Sequence, residues 1–170
     1  MGTLNLGTGV KLSGVGSQLT ITANSVLKPE TPAFFAYSNT SQSIQTTGWH
    51  TATLWESTRM NIGNHFSTST GRFTAPVTGN YIFGTQCRID TLQSGYSRLV
   101  LSINDSTDDN FQAHAIQDST GTTGDNYYSK TITALYNLNA GDMVKVLAYS
   151  DSDSTWQIQS ESQFWGYLIG

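Results

Sequence analysis

The sequence predicts an all-β protein, organised as a two-sheet β-sandwich. Three observations carry this reading: the composition, the recurrence of short alternating stretches, and the lack of any credible helix. Of the 170 residues, 24 are Thr, 20 are Ser and 16 are Gly, while only 12% are charged. A helical chain leans on Ala, Glu, Lys, Leu and Arg. Here Thr, Ser, Gly, Asn and aromatics replace them, the composition of short strands joined by polar turns. With 37% hydrophobic and 11% aromatic residues the chain can bury a core, and its formal charge is only −4, so disorder is excluded.

The 19 aromatic residues all lie from Phe34 onward. The first 33 positions instead carry small apolar residues among glycines, then alternate over Leu19-Thr20-Ile21-Thr22. Two or three such strands have too little sheet to stand alone and need a partner. Pro29 and Pro32 mark an extended connection, which divides the chain into an N-terminal segment, 1–31, and a main domain, 32–170.

Within the main domain the alternation predicts ten strands, in order Ala33–Tyr37, Thr51–Trp55, Arg72–Ala75, Asn80–Ile89, Ser97–Asn104, Phe111–Ile116, Tyr127–Leu138, Met143–Ser150, Thr155–Gln159 and Phe164–Ile169. Turn sequences separate them at Ser69-Thr70-Gly71, Pro76-Val77-Thr78-Gly79 and Asn139-Ala140-Gly141-Asp142. Tyr81, Phe83, Cys87 and Ile89 share one strand face; so do Leu99, Leu101 and Ile103, and Val144, Val146 and Ala148. The polar stretch from Asp118 to Asn126 reads as a surface loop.

A more specific pattern runs from Phe66 to Phe83, with Phe73, Gly79 and Tyr81 at fixed spacing between them. It resembles the signature of the complement C1q-like family, part of the C1q/tumour necrosis factor superfamily. Asn61 stands at the expected distance upstream, Trp55 holds a place usually given to Phe, and Thr85 replaces an aromatic. Pro32-Ala33-Phe34-Phe35-Ala36, Leu138-Asn139-Ala140-Gly141-Asp142-Met143-Val144 and Phe164-Trp165-Gly166-Tyr167-Leu168 are similar to the family's first strand, late turn and closing strand, in the correct order. The resemblance implies a jelly roll of about ten strands that assembles as a homotrimer. Phe73, Tyr81 and Phe83 would face its core, Gly79 would supply a turn, and Gly166 would leave room for a neighbouring ring. No Gly-X-Y repeat precedes the domain, so a collagen stalk is excluded. The opening Met1-Gly2-Thr3-Leu4-Asn5-Leu6-Gly7-Thr8 instead resembles the starts of small structural proteins of tailed bacteriophages, notably cyanophages.

Most chemistry is excluded. An acidic chain with only 8 Lys and Arg cannot neutralise a phosphate backbone, so nucleic acid is not a partner. No run approaches the roughly 18 apolar residues of a membrane span, and the start lacks the basic, apolar build of a signal peptide. His50, His65 and His114 lack metal spacing, no Gly-x-Ser-x-Gly elbow occurs, and Cys87 is the single cysteine, read as a buried thiol. An enzyme is not expected, and no cofactor. Calcium is the one metal with candidate ligands, Asp105, Asp108 and Asp109 in one loop and Asp151 with Asp153 in another. Tyr96, Tyr127, Tyr128 and Trp156, next to polar loops, are candidate contacts for a receptor or glycan. The sequence thus points to a phage virion protein of fibre, knob or head-decoration type. It would be made in the host cytoplasm and displayed on the virion surface, bound to other virion proteins through residues 1–31 and touching a host glycan or protein. A cellular bacterial adhesive or glycan-binding module is the alternative.

Overall fold

The computed structural model describes residues 10–15, 18–23, 31–44, 47–90, 95–107, 113–119, 127–150 and 156–169. The chain divides into two units, Met1–Glu30 and Thr31–Gly170. In the first, β1 (Val10–Val15) and β2 (Gln18–Ala23) pair antiparallel, from Val10 opposite Ala23 to Val15 opposite Gln18. The strands of the second unit are β3 (Ala33–Tyr37), β4 (Gln42–Ile44), β5 (Gly48–Thr51), β6 (Ser57–Ile62), β7 (Phe66–Ser67), β8 (Arg72–Thr74), β9 (Gly79–Asp90), β10 (Gly95–Ile103), β11 (Ala113–Ser119), β12 (Tyr128–Leu138), β13 (Met143–Ser150), β14 (Trp156–Ile158) and β15 (Gln163–Leu168). No helix occurs among the described residues.

These strands form a six-stranded sheet, ordered β11-β10-β13-β8-β7 with β5 also on β13, and a seven-stranded sheet, ordered β4-β14-β9-β15-β3-β6 with β12 also on β9. Every pairing is antiparallel. The sheets face each other as a jelly-roll sandwich, because each long strand alternates apolar and polar residues and buries the apolar set. On β9, Tyr81, Phe83, Cys87 and Ile89 point inward and are fully buried. From the opposite sheet Leu99, Leu101, Val144, Val146 and Ala148 meet them in one cluster.

Aromatic rings fill the centre. Phe34 stacks on Phe66 at 4.5 Å and lies 5.2 Å from Phe73, while Phe164 meets Phe34 edge-on at 4.9 Å. Phe73 meets Tyr81 and Phe83 edge-on at 5.7 and 5.4 Å. Such offset and edge-on contacts suit the ring quadrupoles. Gly166 sits on β15 between β9 and β3, and a Cβ there would enter the Phe83 ring and reach Phe34 at 3.0 Å. Thr85, where an aromatic was expected from the resemblance, is buried and donates its hydroxyl to the Gln163 carbonyl at 2.8 Å.

Three predictions about elements need correction. The strand expected at Thr51–Trp55 lies earlier, at Gly48–Thr51. Beyond it Leu54 and Trp55 are both buried, which breaks a strand's alternation, and Glu56 N–H bonds the Leu54 carbonyl at 3.0 Å in a tight turn. Gly79 does not make a turn but opens β9 opposite Leu138, and the bend falls on Pro76, Val77 and Thr78. Short β4, β6 and β7 add to the ten predicted strands. The edge strand β6 exposes three residues in succession, Thr58, Arg59 and Met60, so it carries no apolar alternation to read.

The late turn is tied down by its own polar residues. Asp142 N–H bonds the Asn139 carbonyl at 3.0 Å and Gly141 takes φ +94°, a conformation that favours glycine. One Asp142 carboxylate oxygen accepts from Asn139 N–H at 2.7 Å and the other from Asn104 Nδ2 at 2.9 Å. Asn104 Oδ1 in turn accepts from Met143 N–H at 2.9 Å. These bonds hold the Asp142 carboxyl below the usual carboxylate range.

Candidate functional site

The outer face of the seven-stranded sheet is built differently from a solvated surface. The register aligns Leu135, Ile82, Tyr167, Ala33 and Ile62 in one row across β12, β9, β15, β3 and β6. The next row holds Thr133, Gly84, Trp165, Phe35 and Met60. Paired residues share a face, so these rows form one apolar field pointing away from the core. Leu135 is 64% exposed, and Tyr167 and Met60 are more than a third exposed. Gly84 gives the field its flatness: a Cβ there would run into the Trp165 indole, which lies across the strand. Trp165 and Tyr167 stack at 6.4 Å. Contiguous exposed apolar surface of this kind marks a contact site.

Beyond the field, towards the Asp90 end of β9, the same face turns polar. Tyr127 is 56% exposed, as a recognition residue needs, and the Arg88 guanidinium lies 4.3 Å from its ring centroid. Arg88 also pairs with Glu161 at 3.0 Å.

The other proposed contacts fare differently. Trp156 is fully buried, because β14 lies between β4 and β9 and its alternate residues, Trp156 and Ile158, face the core. Tyr128 packs against the same core, and burial raises its hydroxyl's pKa, with Ser97 offsetting part of that rise. Trp156 is thus no surface contact, and Tyr128 is half-buried. Tyr96 pairs through its backbone with Asp118, and its side chain lies outside the described residues.

The calcium reading also changes at Asp105. Its carboxylate takes Arg72 at 3.0 Å and Lys145 at 2.5 Å. The nearly buried Lys145 ammonium holds the Asp105 carboxyl below its usual range. With both oxygens engaged by cations, Asp105 serves an ion-paired triad and not a metal. Asp108, Asp109, Asp151 and Asp153 lie outside the described residues. Among the described residues no cluster of three metal-ligating side chains occurs.

A buried polar group escaped the sequence reading. Lys130 stands opposite Cys87 in the β9–β12 ladder, is 4% exposed, and donates to the Ser97 carbonyl and hydroxyl, both at 2.6 Å. Burial lowers its pKa to about 7 and pushes the Cys87 thiol up to about 12, so that thiol stays protonated. The signal was parity: Lys130 is in phase with Ile132 and Leu138, both buried.

The two antiparallel sheets closed around an aromatic nest, with one sheet carrying an exposed apolar outer face, define a jelly-roll β-sandwich domain. The chain matches the C1q domain family over residues 33–169 and belongs to it. Among solved structures it is similar to the globular domain of zebrafish complement 1qA protein, at 19% identity and a TM-score of 0.50, covering 82% of this chain and 98% of that one. It is also similar to Eiger TNF from S. frugiperda, at 17% identity and a TM-score of 0.58, covering 83% and 94%. These likenesses show that the chain shares its jelly-roll fold with those two proteins. No curated protein matches the sequence.

Proposed function

We propose that the chain is the homotrimeric head of a tailed-phage virion protein, of fibre, knob or capsid-decoration type, which works by binding and not by catalysis. C1q- and TNF-like domains commonly form homotrimers. The apolar field of Leu135, Ile82, Tyr167, Trp165, Phe35 and Met60 carries the trimer, because a second copy is the occupant this fold class offers to such a face. Residues 1–31 form the attachment or trimerising segment that joins the head to other virion proteins. The glycine- and threonine-rich opening supports the phage assignment, and the low charge suits a surface that relies on hydroxyls.

Two measurements test this. Light scattering should give three times 18.5 kDa, and a mass of one chain removes the trimer. Antibody against the head should label intact phage particles from the source. Label confined to bacterial cell surfaces would instead support a cellular adhesive.

A further inference from the structure

Beside the apolar field, between β3, β6 and the turn before β15, a cleft of about 300 Å³ opens among Phe35, Tyr37, Asn39, Arg59, Glu161 and Gln163. Its volume sits at the lower end of the range for small-molecule sites. All of these residues belong to one protomer, so the cleft needs no neighbouring subunit to be complete.

The Arg59 guanidinium lies against two rings at once, with its Cζ 5.5 Å from the Phe35 centroid and 5.5 Å from that of Tyr37. Those ring contacts leave its N–H donors unused: Arg59 makes no hydrogen bond or ion pair with the described residues. The side-chain amides of Gln163 and Asn39 likewise have no partner among the described residues. Glu161 is fixed at the rim in the left-handed region, φ +71°, by two backbone bonds that tie its turn to Ser38: Glu161 N–H donates to the Ser38 carbonyl and Ser38 N–H to the Ser162 carbonyl, each at 3.0 Å. Its charge is offset by Arg88. Both local carboxylates are thus engaged, since Glu56 accepts from Thr40 and from Asn39 N–H. Arg59 is the one cationic lining group still lacking an anion.

The geometry points to a binding site for an acidic sugar, a uronic acid unit of a polysaccharide. Its carboxylate would dock on the fork of Arg59, and its hydroxyls on the amides of Gln163 and Asn39 and on Glu161. A planar fork pairs a carboxylate bidentately, and amides and carboxylates serve vicinal hydroxyls with paired donors and acceptors. Tyr37, outside the trimer-forming field, supplies the apolar wall for the ring's C–H face.

Calorimetric titration of the full chain with α-1,4-linked trigalacturonate, and with its neutral methyl ester, tests this. The acid should bind saturably and at least tenfold more tightly than the ester. Arg59→Gln should weaken the acid at least tenfold, and Arg59→Lys should recover only part, because it restores charge without the fork. Arg59 is exposed on an edge strand, so melting temperature and mass by light scattering should not change in either variant. No saturable binding, equal binding of the ester, or unchanged binding by Arg59→Gln overturns the proposal. Because mass is read on the same samples, a failure of trimer formation is seen separately from a failure of sugar binding.

Discussion

The side-chain amide of Asn61 pairs with the main chain of Phe66 at both of its groups. Nδ2 donates to the Phe66 carbonyl at 2.8 Å, and Oδ1 accepts from Phe66 N–H at 3.1 Å. The amide thus acts as one more strand residue for β7 and closes the tight bend in which Gly63 and Asn64 take φ +75° and +57°. Asn61→Ala leaves both backbone groups without that partner, and each unmade bond costs about 1–3 kcal/mol. Thermal unfolding should therefore show a fall of several degrees, with the β spectrum retained below the transition. An unchanged melting temperature would show that water replaces the amide without cost.

Gly166 and Gly84 both face rings, but the rings differ in freedom. Phe83 is fully enclosed, whereas Trp165 is only half-buried on the outer face. Gly166→Ala should therefore destabilise strongly, in the upper part of the roughly 1–3 kcal/mol seen for overpacked cores. Gly84→Ala should cost less, because the indole can lift. Equal urea midpoints for the two variants would contradict this ordering.

Lys130 gives stability a pH dependence of known sign. Its amine titrates near 7 in the folded protein and near 10.5 unfolded. Between those values the unfolded chain holds a proton that the folded chain lacks, so stability rises with pH. Cys87 opposes this above pH 9, where the unfolded thiol ionises and the folded one, at about 12, does not. The rise is therefore read between pH 7 and 9. Urea midpoints for Lys130→Met should be flatter across that window than those of the parent chain.

Asp105 works in the opposite direction. Its carboxyl is held below 3.8 by Lys145 and Arg72, so the stability it contributes is present above pH 3.8 and lost as pH falls through the lower folded value. Asp105→Asn should melt earlier than the parent at pH 7, because Lys145 and Arg72 lose their anion and Lys145 is left with neutral acceptors such as Thr51 Oγ1 at 3.0 Å. The difference should close in acid.

If the apolar field holds the trimer, a charge placed on it should separate the subunits without unfolding them. Leu135→Arg alters a side chain that stands mostly in solvent. Mass should fall from three chains to one while the melting curve stays cooperative. With so few ion pairs to screen, the parent trimer should keep its mass from low to high salt.

How much of this was legible depends on what a residue's neighbours in sequence reveal. The inward faces of β9, β10 and β13 follow from parity alone, since Tyr81, Leu99 and Val144 each repeat with period two. The aromatic nest was legible through the family resemblance that Phe66, Phe73, Tyr81 and Phe83 carry. Trp156 was misread because its burial depends on β14 lying inside the sheet, a matter of strand order that no local pattern carries. Asp105 was misread because Arg72 and Lys145, its cations, are remote in sequence. The apolar field was hidden for the same reason: Leu135, Tyr167 and Met60 meet only through the register of four ladders.

The place of β15 governs the order in which the head can be made. It runs between β9 and β3 and brings Phe164 and Gly166 into the aromatic nest, yet it is the last of the described strands to leave the ribosome. Until then β3 and β9 have open edges and Phe34 lacks the ring that meets it edge-on. The sandwich therefore closes only after synthesis of the domain is essentially complete, so the strand that finishes the core also sets the moment at which the domain can fold.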